Sequence, residues 1–462
     1  AHRRVCCRCR TAHAATTRRR SEDRRKRGLR EQAASAAQQE IASAIDRLIH
    51  CRPSTQEAET QIRGVLTRVG AILLRTVMQA EVDSADTQRP TPFGMLRQGR
   101  RPIWVRSLWG DFRIQRAYYT RAEGGEGVAP AGSQLGLWHG YTPAMARILS
   151  RLAAVLPFEA AAQLLRETTG AVVNGRQFHR NAADAATAMR RWTSTLKPPA
   201  KTQETMYISF DGAAVPMRKR CLRGRRGRTP GVPAKTREVR LGCVFTQSAV
   251  DPQGQPVRDP HSTTYTAAVL DSRLFGRVVR AEALRRGMRN ARRLVVITDG
   301  AKWCETVLSM NFPGALHILD FYHAAEHLQQ LATALLGERR DATVRFRLWR
   351  RALLRGKAPE LIQQARDLLP QARDAAAARR EIGYLDHNLP RMQYAQFKAQ
   401  GLFIGSGVIE AGCKTVIAQR TKLSGMLWTI RGVQDILTLR CHLLGGQLDR
   451  FWDHSFAQRL AS

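Results

Sequence analysis

The sequence predicts an α/β core that is interrupted by a long helical insertion and preceded by a mainly helical region. Three observations predict this architecture. Between residues 203 and 325, short apolar runs with strand character alternate with helical segments. Residues 326–400 then keep helical periodicity throughout, without a strand signal. Ahead of the core, apolar residues recur mostly at helical spacing from residue 31 onward.

The composition is strongly basic. The 462 residues include 75 Lys and Arg against 38 Asp and Glu, a formal net charge of +37. Such an excess is most simply explained by a polyanionic partner, DNA or RNA, and a membrane surface is the weaker alternative. We find no run of about 18 apolar residues that would predict a membrane span. Most cysteines are scattered singly, which is typical of reduced thiols, so we expect a cytoplasmic, nucleoid-associated protein.

The N-terminal part divides into three predicted segments. Residues 1–30 are basic and of low complexity, and they predict a disordered tail. Residues 31–90 carry apolar side chains at helical spacing on both sides of Pro53, which predicts a helical hairpin for packing or self-association. Within 100–135 the period changes to two around Gly110, which predicts a β-hairpin.

Residues 140–195 contain three short helical segments. Pro143 and Pro157 open the first two, and Asn174 caps the third. Two short helices, a glycine turn and a polar, basic third helix are typical of a helix-turn-helix DNA-binding domain. An ordinary small bundle fits the same pattern about equally well. The third helix offers polar side chains able to contact DNA: Arg176, Gln177, Arg180 and Asn181.

The core region carries its strand and helix signals in a definite order. Strands are predicted at 206–210, 239–245, 263–270, 294–298 and 315–319. One helix separates the third and fourth strands, and another separates the fourth and fifth. This is the ribonuclease H-like order, a mixed sheet with helices on both faces. The loop after the first strand is rich in Arg and Gly and offers candidate phosphate contacts: Arg223, Arg225, Arg226 and Arg228.

Two of the predicted strands end in Asp-Gly. In the ribonuclease H-like order the first and fourth strands are neighbours, so Asp211 and Asp299 would lie side by side at the carboxyl edge of the sheet. Neighbouring carboxylates repel each other unless a cation lies between them. Glu410 begins a helix within the 402–426 stretch, and this helix could pack against the same edge. Three carboxylates can hold two Mg²⁺ or Mn²⁺ ions about 3.5–4 Å apart, the arrangement that serves phosphodiester chemistry.

The chain after the insertion contributes further candidates. The basic residues of the Glu410 helix could contact DNA: Lys414, Arg420 and Lys422. Residues 427–462 predict a C-terminal helix, from Ile430 to about Leu444. A competing pattern lies near the fifth strand, where His323, Glu326 and His327 form H-x-x-E-H, a zinc peptidase signature. The charge balance favours polyanions over peptide substrates.

Several segments resemble the core of the ISKra-type insertion-sequence transposases, which are DDE transposases related to the Mutator-like group. These segments are 208–212, 235–245, 259–265, 299–300, 320–323 and 405–414. The last one is the most specific, and the resemblance spans roughly 100 to 445. By resemblance, Asp211, Asp299 and Glu410 are the catalytic, metal-binding triad.

The resemblance also implies roles for other parts of the chain. Asp320 and His323 match the Asp/Cys-x-x-His signature of the group, and 326–400 corresponds to its helical insertion. The implied function is a DNA transposase that uses two divalent ions to cut element ends and join 3′-hydroxyls to target DNA, as a homo-oligomer on DNA. Two alternatives remain open: a structure-selective nuclease of the same fold, and a non-catalytic DNA-binding protein derived from a transposase.

Overall fold

The computed structural model divides the chain into two compact units. One comprises Ala1–Asn181 with Asp449–Ser462, and the other comprises Ala182–Leu448. The structure describes residues 7–89, 91–121, 123–125, 127–200, 202–225, 232–337 and 340–461. Among these residues, no helix is both long and apolar enough to cross a membrane.

The first unit begins with the predicted helical hairpin. Its helices are α1 (Cys7–Cys51) and α2 (Thr55–Gln88). Ser54 starts α2 with a capping box, in which its side chain accepts from the Glu57 N–H and the Glu57 carboxylate accepts from the Ser54 N–H. Helix α1 includes most of residues 1–30, so the expected disordered tail is helical from Cys7 onward. Alanine and arginine, which dominate that segment, are both strong helix formers.

An antiparallel pair of strands follows the hairpin. The strands are β1 (Met95–Ser107) and β2 (Gly110–Arg121). The hairpin begins five residues earlier than the predicted boundary at 100, because β1 continues through a bulge between Arg97 and Arg100. Gly110 ends the turn with φ +97°, a conformation that favours glycine. Helix α2 packs on this pair around Val82, Val105 and Ile114.

Three helices occupy the segment that predicted a helix-turn-helix. They are α3 (Pro143–Val155), α4 (Phe158–Thr169) and α5 (Gly175–Thr195). Thr142 caps α3 ahead of Pro143, and Gly170 ends α4 in the left-handed region. Asn174 caps α5 reciprocally with Gln177, each side chain accepting from the other's backbone N–H at 2.9 Å. The sequence therefore predicted all three helix starts correctly.

The second unit is built on a mixed five-stranded sheet. The strands of this sheet are β3 (Gln203–Pro216), β4 (Thr236–Gln247), β7 (Thr264–Ala268), β8 (Ala291–Thr298) and β9 (Leu316–Leu319). Strands β5 (Ala249–Val250) and β6 (Pro256–Val257) form a small separate ribbon. The spatial order is β7-β4-β3-β8-β9. Strand β3 pairs antiparallel with β4 and parallel with β8, and β8 pairs parallel with β9. The first and fourth predicted strands are therefore neighbours, as expected.

Strand β3 is longer than the sequence predicted. Instead of ending at Phe210, it runs on to Pro216, with Asp211 opposite Leu241 on β4. The Gly212 that suggested a turn is extended and pairs with Arg240. A Cβ at Gly212 would lie 2.6 Å from a carboxylate oxygen of Glu238. Glycine is needed there for a close approach within the sheet and not for a reversal of the chain.

Helices cover the sheet and form the insertion. Against the sheet lie α6 (Ser272–Arg285) and α7 (Lys302–Asn311), which bury Phe275, Val279 and Phe312 with the strands. The helical region comprises α8 (Phe321–Leu336), α9 (Arg340–Leu354), α10 (Ala358–Leu368), α11 (Ala375–Asn388) and α12 (Tyr394–Ala399). Helix α8 starts directly after β9, so the helical region begins before the predicted boundary at 326. Helices α9 and α11 both pack on α8.

The Glu410 stretch is helical but not a regular α-helix. It consists of α13 (Gly407–Gly412), a π-helical turn (Cys413–Ala418) and α14 (Gln419–Thr421). Insertions of this kind frequently accompany functional sites. The chain ends in α15 (Ile430–Leu444) and α16 (Leu448–Ala461). The predicted helix from Ile430 to about Leu444 is α15, and the sequence analysis did not predict α16, which follows after Gly446 with φ +67°.

Candidate metal centre

Asp211 and Asp299 lie beside each other where two parallel strands separate. The parallel pairing of β3 with β8 extends to Ser209 opposite Ile297, two residues before each aspartate. Burial raises the pKa of Asp211, and the neighbouring Asp299 raises it further, whereas hydrogen bonds and His323 act to lower it. The predicted neighbourhood of the two aspartates is therefore present.

A thiol and a backbone N–H contact each of these carboxylates. Asp211 accepts from the Gly212 N–H at 2.6 Å and from the Cys413 thiol at 3.4 Å. Asp299 Oδ1 accepts from the Ala301 N–H at 2.9 Å and from the Cys304 thiol at 3.4 Å. Such bonds fix the rotation of a carboxylate before any ligand arrives.

Glu410 lies on the other side of this cluster, where Ser406 connects it to Asp320. The Ser406 hydroxyl is 2.9 Å from Glu410 Oε1 and also contacts Asp320 Oδ2. Asp320 is fully buried and caps helix α8, accepting from the Tyr322 N–H at 2.9 Å. Burial raises the pKa of Asp320, and the nearby Glu410 carboxylate raises it as well. The Ser406 hydroxyl therefore connects the start of α13 with the start of α8.

Three side chains here could hold one divalent cation. Ligand atoms of Asp320, His323 and Glu410 all lie within 4.8 Å of one another. His323 Nδ1 is 3.6 Å from Asp320 Oδ2, and it is buried without a hydrogen-bond partner. A buried nitrogen left unpaired beside two carboxylates is costly unless a cation or proton satisfies it. The donor set therefore fits a divalent cation.

The arrangement differs in part from the predicted triad. The structure pairs Asp211 with Asp299, and it groups Glu410 with Asp320 and His323, which the sequence suggested only as a signature. The His323 imidazole of the second group lowers the pKa of Asp211 in the first group electrostatically. Sequence reasoning missed Ser406, Cys304 and Cys413 as contacts of these acids. The spacing of Ser406 four residues before Glu410 was the one available signal, since i and i+4 share a helix face.

The predicted DNA contacts divide into exposed and buried residues. The exposed ones are Arg176, Arg180, Arg223, Arg225, Lys414 and Lys422. Arg226 and Arg228 lie outside the described residues. Gln177 is half-buried, and its side-chain oxygen is occupied in the cap of α5. Asn181 is buried and donates to Ser150 at 3.2 Å, so it cannot read a base edge as predicted.

Arg420 was also predicted to contact DNA, and its position contradicts that prediction. Its side chain is 1% exposed, with the guanidinium carbon 5.3 Å from the centre of the Trp428 ring. Burial lowers the pKa of Arg420 to about 10. The residue therefore packs the end of the Glu410 stretch and is not available to contact DNA.

The peptidase pattern is not formed in three dimensions. His327 pairs with Glu381 of α11, with 2.6 Å between His327 Nδ1 and a carboxylate oxygen. The same ring stacks on Tyr384 at 3.5 Å between centroids. His323 instead lies with Asp320 and Glu410. The two histidines therefore serve different neighbours and do not share one zinc site.

Comparisons with known proteins add little to this geometry. No family model matches the chain, and no curated protein matches it. Among solved structures the chain is similar to the Drosophila P element transposase strand transfer complex, with 10% sequence identity and a TM-score of 0.24. That match covers 68% of this chain and 82% of the other. Because the TM-score is so low, the functional assignment has to depend on the residues of the site.

Proposed function

We propose that this protein is a DNA transposase with a ribonuclease H-like core and a DDE-type metal site. The observation that carries the proposal is the cluster itself. Four carboxylates and one imidazole, from four separate segments of the chain, converge beside the ends of β8 and β9: Asp211, Asp299, Asp320, Glu410 and His323. An acidic cluster of this kind in a chain of net charge +37 suits a cation beside a polyanion.

The strand order supports the ribonuclease H-like assignment. The first three long strands form an antiparallel meander, and the next two join it in parallel beside the first strand. In this order β8 and β9, which precede Asp299 and Asp320, lie on the same side of β3, and this supports a site shared with Asp211. The resemblance of residues 405–414 to the ISKra-type transposases supports the same assignment. We propose in addition that the protein belongs to an insertion sequence and acts on DNA in the cytoplasm.

The proposed reaction is hydrolysis of a phosphodiester at the element's end, followed by attack of the freed 3′-hydroxyl on a phosphodiester of target DNA, which releases a 3′-hydroxyl of the cut target strand. Two bound Mg²⁺ or Mn²⁺ ions would polarise the phosphate and lower the pKa of a bound water. The protein itself orients the carboxylates that would bind the ions. Gly212 and Cys413 hold Asp211, Ala301 and Cys304 hold Asp299, and Ser406 holds Glu410. No serine or tyrosine nucleophile is required.

The partner in this proposal is DNA, both the element ends and the target. The exposed basic residues around the Glu410 stretch, Lys414 and Lys422, are suited to phosphate contacts. A homo-oligomer is proposed because two element ends must be joined to one target. The second candidate, a structure-selective nuclease, would use the same site without strand transfer.

The test uses the full-length chain with a duplex that carries the element's end. We expect Asp211→Asn, Asp299→Asn and Glu410→Gln each to lower metal-dependent cleavage by at least roughly 100-fold, because each removes a charged ligand. DNA affinity should stay within about threefold of the wild type, since these residues do not neutralise phosphates. Asp341→Asn changes an exposed acid on α9 and is the matched control.

The outcomes separate the candidates. Joined products with target DNA support a transposase, whereas cleavage without joining supports a nuclease. Binding without cleavage in either Mg²⁺ or Mn²⁺ would leave the non-catalytic DNA-binding protein. If Asp299→Asn cleaves normally while Asp320→Asn does not, Asp320 replaces Asp299 as the second aspartate of the site.

A further inference from the structure

One side of the α1–α2 hairpin carries a row of exposed aliphatic side chains. Each is between 43% and 65% exposed. We call this row the hairpin stripe, and its members are Ile41, Ile45, Ile49, Ile62, Leu66, Leu73 and Val77. Single exposed aliphatic residues are ordinary, but a contiguous apolar patch marks an interaction surface.

The stripe is contiguous because the two helices present it to the same side. Ala33 and Ala44 of α1 and Val65 of α2 are buried, and we infer that the two helices contact each other at these positions. An α-helix turns by 100° per residue, so on each helix the side chains of the stripe lie about 100° around the helix axis from the buried positions. The ion pair of Glu40 with Arg68, at 2.8 Å, sets an antiparallel register. Because the two helices run in opposite directions, this equal rotation about each axis puts the stripe residues of α1 and of α2 on the same face of the hairpin.

An aromatic side chain extends the stripe. Trp109, at the turn between β1 and β2, is 47% exposed and lies against Gly70 of α2. A Cβ at Gly70 would be 2.4 Å from the indole ring. Gly70 is one helical turn from both Leu66 and Leu73, so the indole adjoins the stripe. Tryptophan is the residue type most enriched among interface positions that dominate affinity.

The charge of the segment that carries the stripe favours a second copy over DNA as the occupant of this face. Residues 31–88, which hold all seven aliphatic residues of the stripe, contain eight acidic and five basic residues, a net charge of −3, whereas residues 7–30 at the start of α1 carry +8. A surface for a polyanion would carry the opposite balance. Two copies of such a near-neutral segment can approach each other without strong repulsion. The charge therefore favours a second copy over a nucleic acid.

The apolar area agrees with the needs of a dimer. Seven half-exposed aliphatic side chains at about 60 Å² each, with about 100 Å² from the indole, offer on the order of 500 Å². A standard interface removes about 800 Å² from each partner, of which roughly 60% is apolar, or about 500 Å². A second copy presents the same stripe, so a two-fold arrangement is self-complementary.

We propose that the hairpin stripe joins two copies of this chain into a four-helix bundle without the help of DNA. The proposal does not depend on the metal site or on transposition. It assigns a surface to self-association, and the residues of that surface are different from the exposed basic residues that would contact DNA.

The experiment measures the mass of the full-length, DNA-free protein in solution. Sedimentation equilibrium in high salt with EDTA covers roughly 1 to 50 μM, a range that detects micromolar dissociation constants. We expect a wild-type dimer. The double variant Ile45→Glu with Leu66→Glu should weaken association by about 100-fold or more, because it buries two charges in the stripe. The conservative exchange Ile45→Leu with Leu66→Ile should remain dimeric.

A matched control uses an exposed leucine elsewhere. Leu348 of α9 is 53% exposed, close to the 56% of Leu66, and Leu348→Glu should leave the dimer unchanged. Circular dichroism verifies that each variant keeps its helices. A wild type that stays monomeric across the range would overturn the proposal. So would a folded glutamate double variant that associates within about threefold of the wild type. Because DNA and metal are absent, an inactive metal site leaves this result unaffected.

Discussion

Cys304 and Cys413 are hydrogen-bond donors at the candidate metal centre. Burial raises the pKa of both thiols, and the adjacent Asp299 and Asp211 raise it further. Both cysteines therefore stay protonated at neutral pH, which lets each donate to its aspartate. The Cys413 bond is one of the contacts that lower the pKa of Asp211. Neither thiol is expected to act as a nucleophile.

Removing the Cys413 donor should change how cleavage depends on pH. In Cys413→Val, Asp211 loses a bond that favours its ionised form, so its pKa rises and the acidic limb of the rate profile moves to higher pH. Cys413→Ser keeps a donor and should follow the wild-type profile. Cys51→Val, at an exposed position, is the control. An unshifted Cys413→Val profile would show that the thiol does not influence Asp211.

Asp211 should cost stability in the absence of metal. Its folded pKa lies above the ordinary value of 3.8, so the fold disfavours the ionised form at every pH above the folded pKa. Asp211→Asn in EDTA at pH 7 should raise the melting temperature by on the order of 1–3 °C. The gain should shrink as pH falls through the folded pKa and vanish below the unfolded value, where both states are protonated. A melting temperature of Asp211→Asn below that of the wild type at pH 7 would contradict this prediction.

At the scale of elements, the insertion supports the turn that carries Asp299. The Tyr384 hydroxyl of α11 donates to the backbone carbonyl of Asp299 at 2.9 Å. Gly300 follows with φ +80°, and a Cβ there would lie 2.7 Å from the same hydroxyl oxygen. Helix α11 is therefore in direct contact with the candidate metal centre, although it contributes none of the candidate ligands.

This contact predicts which of two substitutions lowers the free energy of unfolding more. Tyr384→Phe loses one hydrogen bond and should destabilise the protein by about 1 kcal/mol. Gly300→Ala adds both backbone strain and a clash, so it should cost more, roughly 2–3 kcal/mol. Both should lower cleavage, whereas Tyr322→Phe, at an exposed ring, should not. Denaturant unfolding measures the costs, and a Gly300→Ala protein as stable as the wild type would contradict the assignment.

Elements with strong local signals were predictable, and those set by distant pairing were not. All five core strands and the helix starts at Pro143 and after Pro53 follow from apolar patterns and caps close in the sequence. The extension of β3 through Gly212 did not, because Asp-Gly favours a turn locally and only pairing with β4 overrides that preference. The contact of Ser406 with Asp320 joins residues 86 positions apart, which periodicity cannot report.

At the scale of the whole molecule, charge is unevenly distributed along the chain. Residues 31–88 carry a net −3, so the remainder carries +40. Residues 31–88 and the basic remainder, which includes the start of α1, therefore have separate roles in our interpretation, one in self-association and the other in DNA binding. Such a division would let salt weaken DNA binding while the apolar contact between copies persists.

The affinity for DNA should accordingly depend steeply on salt. Each neutralised phosphate releases counterions, and roughly six contacts give a slope of about −5 in log Kobs against log salt. The double variant Arg176→Ala with Arg180→Ala removes two exposed cations from α5. If both contact phosphate, the slope should become less steep by about 1.8. If they read base edges, discrimination between the element's end and random DNA should fall instead. Titrations of both DNAs at several salt concentrations distinguish these results, and a flat wild-type plot would refute a phosphate-dominated interface.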